Sequence, residues 1–66
     1  MNYMVNVRIR DGAGGWVWDV VKLGSGTRLQ AMQWARDYIP VYRRVRVVLY
    51  PSGERVYWRD GKRAAK

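Results

Sequence analysis

The chain contains no cysteine and no histidine, and only 5 Asp+Glu among its 66 residues. Without cysteine there is no disulfide and no thiolate metal site, and without histidine no imidazole base or ligand. The fold must therefore rest on packing, helped at most by a partner. Nucleophilic catalysis lacks its usual parts. Aliphatic hydroxyls occur only at Ser25, Thr27 and Ser52, each at a turn or cap position. The carboxylates Asp11, Asp19, Asp37, Glu54 and Asp60 are scattered, with no close pair. Neither an enzyme nor a cofactor or metal site is expected. No apolar run approaches the roughly 18 residues of a membrane span. Residues Met1 to Ile9 alternate polar and apolar and do not read as a signal peptide. The expectation is a soluble protein of the bacterial cytoplasm, with no membrane and no small-molecule substrate as partner.

What is present argues for a folded domain. Hydrophobic residues make up 48%, with four Trp and five Tyr, a content that disordered basic tails lack. The length allows one domain and one small core. A chain of about 60 residues buries only about 60% of its unfolded surface, so modest stability is expected. The 13 Lys+Arg set a net charge of +8. Ten of the thirteen are arginine, whose planar fork suits phosphates and carboxylates and stacks on aromatic rings. A GC-rich coding bias would favour Arg over Lys, but it does not account for the shortage of acids. The balance points to an anionic partner: nucleic acid, an acidic protein surface or, less so, a membrane surface.

Periodicity orders the elements. Tyr3, Val5, Val7 and Ile9 alternate with Met4, Asn6, Arg8 and Arg10, the period of a strand. Asp11-Gly12-Ala13-Gly14-Gly15 breaks it, and Trp16 to Leu23 forms a second apolar run, so the two make a hairpin. Thr27 followed by Gln30 fits a capping box opening a helix over Arg28 to Tyr38. Ala31, Met32, Ala35, Tyr38 and Ile39 share its apolar face, and Pro40 ends it. Gly24-Ser25-Gly26-Thr27 lacks the lysine and spacing of a P-loop and reads as a cap.

Arg43 to Tyr50 resumes period two, and Ser52-Gly53 fits a two-residue hairpin loop. That loop pairs Tyr50 with Arg55, Val48 with Tyr57 and Arg46 with Arg59, and on the other face Leu49 with Val56 and Val47 with Trp58. A right-handed crossover then gives an α+β, two-layer ββαββ domain over residues 1–60, with a four-stranded antiparallel sheet of order 2-1-3-4 and one helix on one face. Residues 61–66 are expected to be a disordered basic C-terminal tail.

The helix covers one side of the sheet. The other side carries Arg8, Arg10, Arg44, Arg46, Tyr50, Arg55, Tyr57 and Arg59. Six arginines and two tyrosines without an acid suit phosphate neutralisation, with the tyrosines stacking on exposed bases. Arg46 opposite Arg59 would place like charges together, an arrangement an intervening anion relieves. Base-specific hydrogen bonding would rest on arginine, so mostly nonspecific binding is expected. A plain solvated outer face is the bland alternative.

Trp16 and Trp18 depend on the first loop. A five-residue loop pairs Arg10 with Trp16 and Arg8 with Trp18 on the open face, but drives Asp19 inward. A four-residue loop sends both tryptophans into the core, and the small core's need for bulk favours that arrangement. Trp58 reads as core and Trp34 as half-buried on the helix flank.

The stretch Gln30-Ala31-Met32-Gln33-Trp34-Ala35 through Tyr38-Ile39-Pro40 to Arg44-Val45-Arg46 resembles a family of small podophage proteins that inhibit bacterial RNA polymerase. That family also has a hairpin, a helix with alanines four apart, a Tyr-aliphatic-Pro exit and a strand carrying Arg-Val-Arg. The likeness spans roughly half the chain, with a gap. It implies that Arg44 and Arg46 contact an acidic polymerase surface. The chain departs from the family in its fourth strand and higher positive charge. The run from Ser52-Gly53-Glu54 to Tyr57-Trp58-Arg59-Asp60-Gly61-Lys62 resembles the last hairpin of some small phage anti-CRISPR proteins. Both likenesses imply a phage-encoded protein. Two functions follow as expectations: nucleic-acid binding on the open face, or host takeover by docking that face on an acidic host protein such as RNA polymerase or a CRISPR complex.

Overall fold

The computed structural model describes residues 1–65. Five strands and one helix follow in the order β1 (Asn2–Arg10), β2 (Trp16–Ser25), α1 (Arg28–Ala35), β3 (Arg44–Tyr50), β4 (Glu54–Arg59) and β5 (Lys62–Ala64). They build one antiparallel sheet of order β2-β1-β3-β4-β5 with the helix on one face. The α+β class matches the sequence expectation, but the sheet has five strands rather than four. Lys62–Ala64, within the segment 61–66 expected as a disordered tail, form the fifth; Lys66 lies outside the described residues.

The fifth strand has a local cause. Asp60 and Gly61 both take positive φ, 52° and 82°, the mark of a type I′ turn whose twist matches a hairpin. The turn is tied to the start of β3, where Asp60 N–H donates to Arg43 C=O at 2.7 Å. The Asp60 carboxylate also accepts from Arg43 Nε at 3.2 Å.

In the first hairpin Arg10 stands opposite Trp16, leaving the five residues Asp11–Gly15 as the loop. The Asp11 carboxylate organises it, accepting from the backbone N–H of Ala13 at 2.9 Å and of Gly15 at 2.8 Å. This register corrects the favoured placement of Trp16 and Trp18 in the core. Both lie on the face away from the helix, opposite Arg10 and Arg8. The objection that Asp19 would be driven inward disappears because β2 is an edge strand, and Asp19 stays exposed there. Further along, the β1–β2 register slips by one residue between Val5 and Asn6, a bulge that leaves Val21 extra and sets Lys22 opposite Val5. Val21 packs on the core, and the Lys22 ammonium sits 3.7 Å from the centroid of the Trp34 ring.

The helix starts as its sequence dictates. Thr27 Oγ1 accepts from Gln30 N–H at 3.2 Å while Gln30 Oε1 accepts from Thr27 N–H at 2.8 Å, completing the capping box. It ends at Ala35, three residues before the expected Tyr38. The chain tightens there into successive turns, with Tyr38 N–H donating to Ala35 C=O and Val41 and Tyr42 N–H to Tyr38 C=O. Arg28 at the helix start pairs with Glu54 at the start of β4, Nη2 to Oε2 at 3.1 Å.

The core lies between helix and sheet and contains Tyr3, Val5, Val7, Ala31, Ala35, Val45, Val47 and Leu49. Met32, Tyr38, Ile39 and Trp58 pack on it, half-buried. Gly24 lies opposite Tyr3, and a Cβ added to Gly24 would collide with the Tyr3 ring. Glycine is therefore required there for the tyrosine to lie flat on the strand.

The second hairpin differs from expectation in register. Leu49 pairs with Glu54, so the loop is Tyr50–Gly53 rather than Ser52-Gly53 alone. Gly53, at φ 77°, donates its N–H to Leu49 C=O at 2.7 Å. All pairs move by two: Arg46 faces Tyr57, Arg44 faces Arg59, Val48 faces Arg55 and Val47 faces Val56. The expected Arg46–Arg59 pair is thus not formed, but an even shift leaves every side chain on its expected face.

Candidate nucleic-acid interface

The face away from the helix is assembled from alternate positions of all five strands. β1 supplies Arg8 and Arg10, β3 supplies Arg44, Arg46 and Tyr50, and β4 supplies Arg55, Tyr57 and Arg59. All eight residues expected at the site share this face. β2 adds Trp16 and Trp18, and β5 adds Lys62 opposite Arg59.

Its centre is a stack of rings and guanidinium groups. The Trp18 ring is contacted by two arginines, with Arg46 Cζ 4.4 Å and Arg8 Cζ 5.3 Å from its centroid. Tyr57 leans against it, ring centroids 6.2 Å apart and planes tilted by 59°. A guanidinium over an indole face is drawn by the ring quadrupole and keeps its outer edge free to donate. Arg46 also donates from Nε to Asn6 Oδ1 at 3.1 Å. This layer covers its own floor: Asn6 is 1% exposed and Val48 4%, though both lie on the helix-free face. Long arginine stems and aromatic rings shield apolar and amide groups beneath while their polar ends reach water.

Towards one end of the sheet Arg10 Cζ lies 5.2 Å from the centroid of the Trp16 ring. Trp16 is nonetheless 52% exposed. Tyr50 stands at the opposite end of β3, beside the Tyr50–Gly53 loop and opposite Asn2 of β1. Tyr50 is therefore away from the Trp18 stack, whereas Tyr57 belongs to it.

The acids lie elsewhere. Asp11 is held in its loop, Asp19 is opposite Val7 and Glu54 opposite Leu49, both on the helix side, Asp37 follows the helix and Asp60 is in the last turn. Among the described residues no carboxylate occupies an open-face strand position. Arg28–Glu54 and Arg43–Asp60 form ion pairs with arginines outside the open-face strand positions. Arg63 is turned the other way, with Cζ 5.7 Å from the centroid of the half-buried Trp58.

Two parts of the surface escaped the favoured sequence reading. Trp16 and Trp18 were legible only through the length of a glycine-rich loop, which periodicity does not determine. Lys62 was legible through Asp60-Gly61, a hairpin dipeptide sitting between two strand-compatible residues.

No protein-family model matches the chain, and comparisons with curated proteins and with solved structures return no significant match. Among the described residues, no helix is long and apolar enough to cross a membrane.

Proposed function

We propose that this protein binds nucleic acid on the helix-free face of its sheet, mainly through phosphate contacts that are indifferent to sequence. The observation that carries this reading is the interleaving of six arginines with Trp16, Trp18 and Tyr57 on a face whose strand positions hold no carboxylate. Arginine neutralises phosphate and releases condensed counterions, while the exposed Trp16 ring offers a stacking surface that tolerates any base. An acidic protein surface would satisfy the charge as well, and Trp, Tyr and Arg also suit protein interfaces, so the test below includes it. Arg44 and Arg46, which the resemblance to phage inhibitors implies contact an acidic polymerase surface, belong to this same face, and that resemblance motivates the rival reading of a protein-docking surface.

The test is a titration of fluorescently labelled DNA and RNA across salt concentrations. With four to six phosphates engaged, log affinity should fall against log salt with a slope of roughly −4 to −5. No detectable binding at about 50 mM salt overturns the reading. A bacterial complex that survives nuclease treatment, and is lost when Arg44 and Arg55 become Glu, would assign the face to an acidic protein surface.

A further inference from the structure

β1 and β3 stay paired only as far as Val7 and Val45. Beyond that point the two strands border a notch of about 260 Å³, lined by Arg8, Trp16, Arg43 and Arg44. Three arginines and one tryptophan thus line a single recess, with no acidic residue among its described lining residues. Arg43 is held in place by Asp60, Nε to Oδ1 at 3.2 Å, yet its side chain remains largely exposed. Arg10 packs on the Trp16 ring, and about half of that residue's surface is still open to solvent.

This recess differs chemically from the rest of the face. A flat arginine surface reads phosphates, which duplex and single strand both present. A notch with an exposed indole beside three arginines asks for a planar ring and an anion together, at a size below the roughly 300–1,000 Å³ of drug-binding pockets. A nucleotide has both. In a duplex the base faces are stacked on their neighbours and closed to the indole; in a single strand they are free.

We infer that the notch takes one nucleotide of a single strand, its base against Trp16 and its phosphate among Arg8, Arg43 and Arg44, so that the protein prefers single strands to duplex. This rests on the nucleic-acid reading above and adds the strand state and the seat of the base.

The experiment compares three probes at one salt concentration: oligo-dT of about 20 nucleotides, an abasic oligomer of the same length, and a duplex of that length. The expected result is tightest binding to oligo-dT, with quenching of tryptophan fluorescence. Trp16→Ala should weaken oligo-dT binding by roughly 5- to 100-fold and change duplex binding by less than about twofold. Trp16→Phe should recover most of the loss. Equal affinity of the wild-type chain for oligo-dT and the abasic oligomer overturns the inference, and needs no variant to fold. Equal weakening of oligo-dT and duplex by Trp16→Ala also overturns it, while leaving phosphate binding on the face intact. Failure of the wild-type chain to bind any probe removes the nucleic-acid reading itself.

Discussion

Arg46 and Asn6 face each other across β3 and β1, and Arg46 Nε donates to Asn6 Oδ1 at 3.1 Å while the same guanidinium lies on the Trp18 ring. Among the described residues Asn6 is the buried polar side chain of the sheet, and it sits beneath the basic face rather than in the helix-side core. It therefore acts as the fixed point from which the central arginine is aimed.

Removing that fixed point should have a measurable cost. Asn6→Ala is expected to lower stability by about 1–2 kcal/mol, from a lost hydrogen bond and a small void. Asn6→Leu should recover much of this, because Arg46 can turn its freed donor to water. Urea denaturation of the two variants checks the difference; an equal loss in both would mean that the hydrogen bond itself matters more than the filled volume.

Phosphate contacts can be counted individually. Arg55 is exposed and has no part in the Trp18 stack. Arg55→Gln should reduce the steepness of the log–log salt dependence by about one and weaken all sequences alike. Arg28→Gln, on the helix side, should leave the slope unchanged. Titrations at several salt concentrations separate the two.

Tyr3 depends on the missing side chain of Gly24. Gly24→Ala forces a Cβ into the buried ring, and overpacking of this kind costs about 1–3 kcal/mol. The variant should melt at lower temperature than the wild type while Gly12→Ala, whose Cβ would meet nothing within 4 Å, should not.

Glu54 gives the fold an acid-sensitive tie. The hydrogen bonds donated by Arg28 hold its carboxyl below the ordinary glutamate range, and the same pair raises the Arg28 guanidinium. A depressed folded pKa means that the unfolded chain takes up the proton first. The stabilisation is therefore present above the usual glutamate pKa of about 4.3 and fades as pH falls through that range towards the lower folded value. The difference in stability between wild type and Glu54→Gln should narrow across that window and also shrink with added salt, since the pair is exposed. Denaturation at neutral and acid pH, with and without salt, measures it.

Much of this surface could be read from alternation alone. Side-chain period two assigned Arg8, Arg10, Arg44, Arg46, Arg55, Tyr57 and Arg59 to one face because a strand leaves only two choices. The helix face around Ala31 and Ala35 was legible for the same reason at period 3.6. What alternation cannot supply is where one strand stops sliding against the next. Loop geometry decides that, and it placed Trp16 and Trp18 outside and moved the second hairpin by two residues. The bulge at Val21 is of the same kind: it depends on how an edge strand follows the helix side, which is tertiary. β5 escaped because three residues are too few to show a period, although the Asp60-Gly61 turn announced it.

The Tyr50–Gly53 loop joins strands whose two sides differ completely in chemistry. Lengthening or shortening it by two residues would slide Arg55, Tyr57 and Arg59 along the sheet and still leave them beside Arg44 and Arg46. A change of one residue that is carried into the register would instead turn all three towards the helix and bring Val56 and Trp58 out among the arginines. Even insertions and deletions in this loop should therefore preserve both core and charge, whereas an odd one preserves them only when the loop or a bulge like the one at Val21 takes up the extra residue.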